Sequence, residues 1–145
     1  MKRRELSHML WLATTCHNNQ FDRAGMPYIL HPIQVMHLLN SNDEELQCIA
    51  LGHDLLEDCN ITAEDLRLYG FSERIIVGIV ALTKLEDEPL VTYKERVKAN
   101  PDAVRVKLCD LQHNSLLYRL NAIKPRDIER MADYVLFYQE LLEKL

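Results

Sequence analysis

Apolar residues recur at helical spacing along most of the chain. Within residues 3–19, the apolar positions are Leu6, Met9, Leu10, Ala13 and Cys16. Their i, i+3, i+4, i+7 spacing places them on one face of an α-helix. No stretch alternates with the period of two that marks a half-buried strand. The pattern therefore predicts an all-α protein.

Turn and capping residues divide this pattern into roughly seven or eight helices. Gly25, Pro27 and Pro32 interrupt the period and predict an ordered loop, with Pro32 opening a short helix through Leu39. The acidic segment "NSNDEE" predicts the start of a helix that runs to about Asp58. Further helix starts are predicted at a capping box from Thr62 to Asp65, at Ser72, at a capping box from Thr92 to Glu95, at Pro101 for a helix reaching about Leu120, and at Pro125.

Length and composition indicate one soluble unit. The chain has 145 residues, of which 48% are hydrophobic, and contains only four Gly and five Pro. A chain of this size can bury most of its apolar surface in a single core. We find no internal repeat or low-complexity tract, so residues 1–145 are expected to form a single-domain helical bundle.

Charge and hydropathy restrict the partners and the compartment. The net charge of −5 argues against a nucleic-acid ligand, because phosphate backbones are bound by dominant basic patches. His8, Thr14 and His17 interrupt the apolar start, so we expect neither a signal peptide nor a membrane span. The four cysteines lack CxxC pairing and are expected to be free thiols. We expect a cytoplasmic protein.

The segment "CIALGHDLLEDCN", residues 48–60, carries a concentration of charge within an otherwise apolar helix. At about 100° per residue, His53, Asp54, Glu57 and Asp58 fall within about 140° of one another. Apolar residues fill most of the remaining circumference, which predicts that this charged face forms a pocket wall. The three carboxylates repel each other, and a bound divalent cation would convert that repulsion into coordination.

Two further positions extend this candidate site. His31 directly precedes the helix that Pro32 opens, and Asp110 stands among apolar residues in "RVKLCDLQHNSLL". Buried carboxylates need partners. Two imidazoles and two carboxylates make a mixed nitrogen and oxygen ligand set that suits Mn²⁺ or Fe²⁺ better than structural zinc. The competing interpretation is that the carboxylates face water and His53 satisfies a hydrogen bond in the core.

Four segments together resemble the HD-domain hydrolases of the RelA/SpoT type, and specifically the small alarmone hydrolases. These segments are "CHNNQFDRAGMPYILHP", "ALGHDLLEDC", "ALTKL" and "VKLCDLQHN", in the family's order from about His17 to Asn114. The resemblance implies Mn²⁺ ligands at His31, His53, Asp54 and Asp110, residues that activate or position the attacking water at Glu57 and Asp58, and nucleotide contacts at Arg23 and Asn114. It also implies that His31 and Asp110 converge on His53. Tyr28 is expected either to line the pocket or to pack under the loop.

The family removes pyrophosphate from the 3′ position of guanosine tetra- or pentaphosphate, so the expected partner is a small nucleotide. Here Asp22-Arg23 replaces a basic pair, Leu111 replaces an arginine, and Leu117 replaces a threonine that commonly contacts the sugar. Lys84 and Lys107 are further candidates for phosphate binding. Two alternatives stay open: hydrolysis of another small nucleotide, or a non-catalytic nucleotide sensor. The C-terminal aromatic run is expected in the core or at a homo-oligomer interface.

Overall fold

The computed structural model describes residues 2–145 and contains no β-strand within them, which confirms the all-α class. The α-helices are α1 (Arg4–Cys16), α2 (Leu30–Leu39), α3 (Glu44–Gly52), α4 (Leu55–Asp58), α5 (Ala63–Leu68), α6 (Glu73–Ala81), α7 (Leu90–Lys98), α8 (Pro101–Asn114) and α9 (Pro125–Leu142). A short 3₁₀ helix, Leu117–Arg119, lies between α8 and α9.

Helix α3 lies at the centre of the bundle. It packs against α1, α2, α6 and α8, while α8 also packs against α2, α7 and α9. Leu46, Ile49 and Leu51 of α3 are fully buried, because neighbours cover this helix on several sides. The four cysteines are free thiols, as predicted. Helix α3, which ends directly before His53, and α8, which carries Asp110, are therefore core elements.

Several helix ends were predicted from capping residues. The capping box between Thr62 and Asp65 and the N-cap at Ser72 are confirmed. The predicted capping box at Thr92 is wrong, because α7 already begins at Leu90, directly after Pro89, whose ring fixes φ. Helix α2 likewise begins at Leu30, before the proline that was expected to open it.

The predicted continuous helix to Asp58 is wrong, because it is interrupted at His53 and Asp54, inside the candidate site. Helix α3 ends at Gly52, His53 and Asp54 form a turn, and α4 resumes at Leu55. The His53 Nδ1–H donates a hydrogen bond to the Ala50 carbonyl at 2.6 Å, which satisfies a carbonyl group at the end of α3. The helical-wheel argument therefore does not hold across this turn.

We expect Gly78→Ala to lower the free energy of unfolding by about 1 kcal/mol. A Cβ at residue 78 would lie 2.5 Å from Cδ1 and 2.9 Å from Cγ1 of Ile49. Overpacking costs about 1–3 kcal/mol, which exceeds the helix-propensity gain of about 1 kcal/mol from Gly to Ala. Urea denaturation measures the change. Adding Ile49→Val removes Cδ1 and should recover part of it; unchanged stability of the Gly78→Ala variant would contradict the close packing.

Candidate metal centre and adjoining pocket

The buried side chain of His53 has one ring nitrogen whose hydrogen-bonding capacity is not satisfied by any other described residue. The residue is buried, and its Nδ1–H is held by Ala50. Its Nε2 is buried and has no partner in hydrogen-bonding geometry among residues 2–145. Buried polar atoms are nearly always satisfied, so an orphaned one requires an explanation. A neutral imidazole protonated at Nδ1 presents a lone pair at Nε2, which is the form that binds a metal ion.

Three parts of the chain meet at this nitrogen. The Asp54 Oδ2 atom lies 3.1 Å from it, and the Asp110 Oδ1 atom lies 3.4 Å from it. The His31 Nε2 atom, from α2, lies 2.8 Å from the same Asp110 oxygen and 3.9 Å from Asp54 Oδ2. One ligand atom each from His31, His53 and Asp54 lies within 4.8 Å of the others. The structure thus brings together the four residues that the sequence proposed; their role as ligands stays a prediction.

Surrounding donors hold the two carboxylates in place. The Tyr28 hydroxyl donates to Asp54 Oδ2 at 2.6 Å, and Asn114 Nδ2 donates to Asp110 Oδ1 at 3.0 Å. Burial, followed by the charge of Asp54, raises the pKa of Tyr28 and keeps this donor protonated. Such outer contacts orient ligands and fix their protonation. Tyr28 and Asn114 therefore contact the centre itself and also face the adjoining pocket.

The electrostatics of the cluster favour a cation at its centre. Burial alone would raise the pKa of Asp54, but the charge of His53 lowers that pKa to about 2. Burial would lower the pKa of His53, yet Asp54 and Asp110 hold it well above the ordinary histidine value. In this state a proton on His53 balances ionised carboxylates. A divalent cation would take the place of that proton, so metal binding should release it.

Lys107 is part of this cluster and not a free phosphate-binding side chain. Its Nζ lies 2.7 Å from Asp110 Oδ2 and 5.6 Å from the centre of the Tyr93 ring. Burial would lower the pKa of Lys107, but Asp110 and Tyr93 raise it, so the lysine stays charged. The i, i+3 spacing of Lys107 and Asp110 was a local signal for this pair. Lys107 is therefore engaged by Asp110, and its phosphate role stays a prediction.

We expect Lys107→Met to lower the free energy of unfolding by about 3 kcal/mol at pH 7, because it leaves the Asp110 carboxylate buried without its cation. The pKa of Asp110 lies well below the ordinary value in the folded protein, after Lys107 and His31 overcome the effect of burial. That stabilisation is full above the unfolded pKa of about 3.9 and is lost as the pH falls through the lowered pKa.

The difference between the Lys107→Met variant and wild type should therefore shrink in acid. Urea denaturation at pH 7 and at pH 3.5 measures it. Lys144→Met, at an exposed position near the C-terminus, is the matched control. Equal stability of wild type and Lys107→Met at pH 7 would show that the ion pair contributes nothing.

Glu57 and Asp58 lie on α4 and border an open cleft next to Thr83 and Lys84. The Glu57 Oε1 atom accepts a hydrogen bond from the Lys84 backbone N–H at 2.5 Å. Both acidic residues are exposed, so only the His53 and Asp54 part of the predicted pocket wall is enclosed. Partial desolvation raises the pKa of each carboxyl, and the charge of Asp54 raises it further.

A cavity of about 240 Å³ adjoins the centre on the side of His31 and Tyr28. The predicted nucleotide contacts Arg23 and Asn114 line it. The remaining lining residues are Phe21, Asp22, Ala24, Leu116, Arg119, Leu120, Arg130, Met131 and Tyr134. Arg119 and Arg130 could not be predicted from the sequence, because no local motif marks them and only the packing of α9 brings Arg130 to this wall.

Comparison with known proteins supports the resemblance. No family model matches the chain. The chain is 30% identical to guanosine-3′,5′-bis(diphosphate) 3′-pyrophosphohydrolase of Vibrio cholerae, over an alignment of 145 positions that covers 92% of this chain. It is also 30% identical to the bifunctional (p)ppGpp synthase/hydrolase SpoT of Escherichia coli K12, over an alignment of 147 positions that covers 92% of this chain. The chain belongs to the RelA/SpoT-type HD-domain family. It spans about a fifth of the length of these relatives, 21% in both cases.

A solved structure shares the fold of this HD domain. The protein is described as a metazoan orthologue of SpoT that hydrolyses ppGpp and plays a role in starvation responses. The superposition has a TM-score of 0.76 and covers 99% of this chain and 86% of that chain, at 21% identity. No helix within residues 2–145 has the length and apolar character that crossing a membrane requires.

Proposed function

We propose that this HD domain is a divalent-metal-dependent phosphohydrolase that removes the 3′-pyrophosphate from (p)ppGpp. The observation that carries the proposal is the orphaned Nε2 of His53, surrounded by His31 and two ionised carboxylates and adjoining a pocket lined by arginines. The names of the relatives support the choice of substrate. We place the activity in residues 1–145 as one domain, and in the cytoplasm.

The donor set fits a divalent ion that accepts both nitrogen and oxygen. Two imidazole nitrogens and two carboxylates would hold Mn²⁺, our first choice, or Fe²⁺. When bound, such an ion lowers the pKa of water and neutralises charge on phosphoryl oxygens. His31, His53, Asp54 and Asp110 are the residues that would hold it. Tyr28 and Asn114 would keep the two carboxylates oriented.

The residues of α4 would supply the general base. Glu57 is not needed as a ligand and borders the cleft one turn after His53. Its raised pKa brings the carboxylate closer to the value at which proton transfer from water is most effective. Asp58, on the same helix, would orient the water; burial, followed by the charge of Asp54, raises its pKa. This pair favours an enzyme over a nucleotide sensor, since binding alone does not need a general base.

The pocket would bind the phosphate groups that do not react. Arg23 and Arg130 both approach Asp127 Oδ1, at 3.5 Å and 3.0 Å. Two guanidinium groups against one carboxylate leave a net positive charge at this wall. Arginine binds phosphate oxygens through paired hydrogen bonds. Arg23 therefore keeps its predicted role, and Arg130 is added to it.

The proposal is tested by pyrophosphate release from ppGpp by the metal-stripped protein, with and without Mn²⁺ or Fe²⁺. We expect release only when one of the ions is present. Absence of release, with the ion nevertheless bound, would overturn the choice of substrate. A panel of other nucleotides would then separate a hydrolase of different specificity from a non-catalytic sensor.

A further inference from the structure

Asp22 stands where the resemblance leads us to expect a basic residue, and the structure gives it a defined position. Its Oδ1 atom accepts hydrogen bonds from the backbone N–H groups of Ala24 and Met26, each at 2.9 Å. These bonds fix the turn at Gly25, which has a φ of 83°. The Oδ2 atom is left for another contact. Asp22 is therefore an ordered part of the pocket wall.

Arg119, from the 3₁₀ helix, provides that contact. Its Nη2 lies 3.5 Å from Asp22 Oδ2, and its Nη1 donates to the His113 carbonyl at 3.0 Å. The two side chains are 22% and 19% exposed, so both are held mostly inside the protein while reaching the cavity. Residues far apart in sequence thus form a preorganised ion pair beside the candidate metal centre.

The pair keeps unused hydrogen-bonding capacity. Within residues 2–145, no acceptor bonds the Nε–H of Arg119, and Asp22 Oδ2 has Arg119 as its only partner. A carboxylate oxygen accepts more than one hydrogen bond, and a guanidinium has five N–H donors. Because both residues line the cavity, the pair brings a hydrogen-bond donor and an acceptor to its wall.

We propose that Asp22 and Arg119 recognise the base of the substrate and select guanine over adenine. This inference rests on the function proposed above. Guanine presents the O6 acceptor beside the N1–H donor, which matches an arginine beside an aspartate. Adenine presents its N6 amine donor beside the N1 acceptor, which is the reverse order. Adenine would face arginine with a donor and aspartate with an acceptor, so both protein groups would stay unpaired.

Charge and shape assign this pair to the base and not to a phosphate group. Asp22 neutralises Arg119, and its carboxylate would repel an anion brought against the pair. The two arginines that share Asp127 retain a net positive charge and suit phosphate better. Phe21, Leu116 and Leu120 add apolar surface to the same cavity, as a flat base requires.

The test compares the dissociation constants of ppGpp and its adenine counterpart, ppApp, by calorimetry, for wild type, Asp22→Asn and Arg119→Gln. Asparagine retains an oxygen for the Ala24 and Met26 N–H groups but places an amide NH2 donor where Oδ2 accepted a hydrogen bond. We expect wild type to bind ppGpp at least about tenfold more tightly than ppApp, and each variant to lose most of that preference. Asp87→Asn and Arg105→Gln, at exposed positions, are the matched controls and should keep it.

Equal affinity of wild type for the two nucleotides would overturn the inference, as would an unchanged preference in both variants. Because the readout is binding, it is independent of pyrophosphate release. Binding without base preference, together with intact release from ppGpp, would leave the proposed function standing. Guanine-selective binding that depends on Asp22 and Arg119, without pyrophosphate release, would support the base recognition and overturn the catalytic proposal.

Discussion

Replacing Asp54 by alanine is expected to abolish divalent metal binding and pyrophosphate release together. Asp54 places one oxygen near both candidate histidine ligands, 3.1 Å from His53 Nε2 and 3.9 Å from His31 Nε2. Loss of a residue that only orients a ligand typically costs 10–100-fold in affinity or activity, so loss of a ligand should cost at least about a hundredfold. The variant also leaves the Tyr28 hydroxyl without its acceptor.

Thermal unfolding with and without Mn²⁺ gives a readout that does not depend on the substrate. An ion present at 100 times its dissociation constant stabilises the folded state by about 2.7 kcal/mol. Wild type should therefore melt at a higher temperature with Mn²⁺, and the Asp54→Ala variant should show no shift. Asp133→Ala, at an exposed position of α9, is the control and should behave as wild type. A Mn²⁺-dependent shift that survives in Asp54→Ala would place the metal elsewhere.

Replacing Glu57 by glutamine is expected to separate metal binding from chemistry. The amide keeps the shape of the side chain and can still accept from the Lys84 backbone N–H, but it cannot take a proton from water. Loss of a general base lowers kcat by about 10²–10⁴-fold. We expect KM for ppGpp and the Mn²⁺-induced rise in melting temperature to stay near the wild-type values.

The pH profile adds a second test of Glu57. Its pKa is raised, and the base must be ionised, so wild-type kcat should fall as the pH decreases through a value above the ordinary glutamate range. The residual activity of Glu57→Gln should lack this acid limb. Glu143→Gln, exposed near the C-terminus, should retain both the rate and the limb. If Glu57→Gln kept the wild-type rate and acid limb, the base would have to be another residue.

The largest departure from the sequence prediction occurs inside the candidate site. A helical wheel treats His53, Asp54, Glu57 and Asp58 as one face, but the chain turns at His53 and Asp54. At this turn the His53 side chain bonds to the backbone carbonyl of Ala50, a contact that helix periodicity does not describe. The helical wheel therefore grouped His53 with Asp54 correctly, although it assumed a continuous helix that the structure interrupts.

The basic partners of the buried acids were likewise only partly predictable from the sequence. The sequence identified buried acids without an evident basic partner, and the structure supplies Lys107 for Asp110 at i, i+3. The spacing was visible, but nothing in the sequence showed that the lysine would lie inside the protein. By contrast, the partner of Asp22 is 97 residues away, and no local pattern could have indicated Arg119.

The sequence by itself determined the all-α class, the capped starts of α5 and α6, and the residues that form the candidate metal centre. Helix periodicity and capping depend on neighbours within a few residues, and the motifs of the resemblance are short segments. The tertiary structure alone decided that α2, the turn after α3 and α8 bring these residues within coordination distance. It also decided that Arg119 and Arg130 join the pocket, because contacts between distant segments depend on how whole helices pack and not on local sequence.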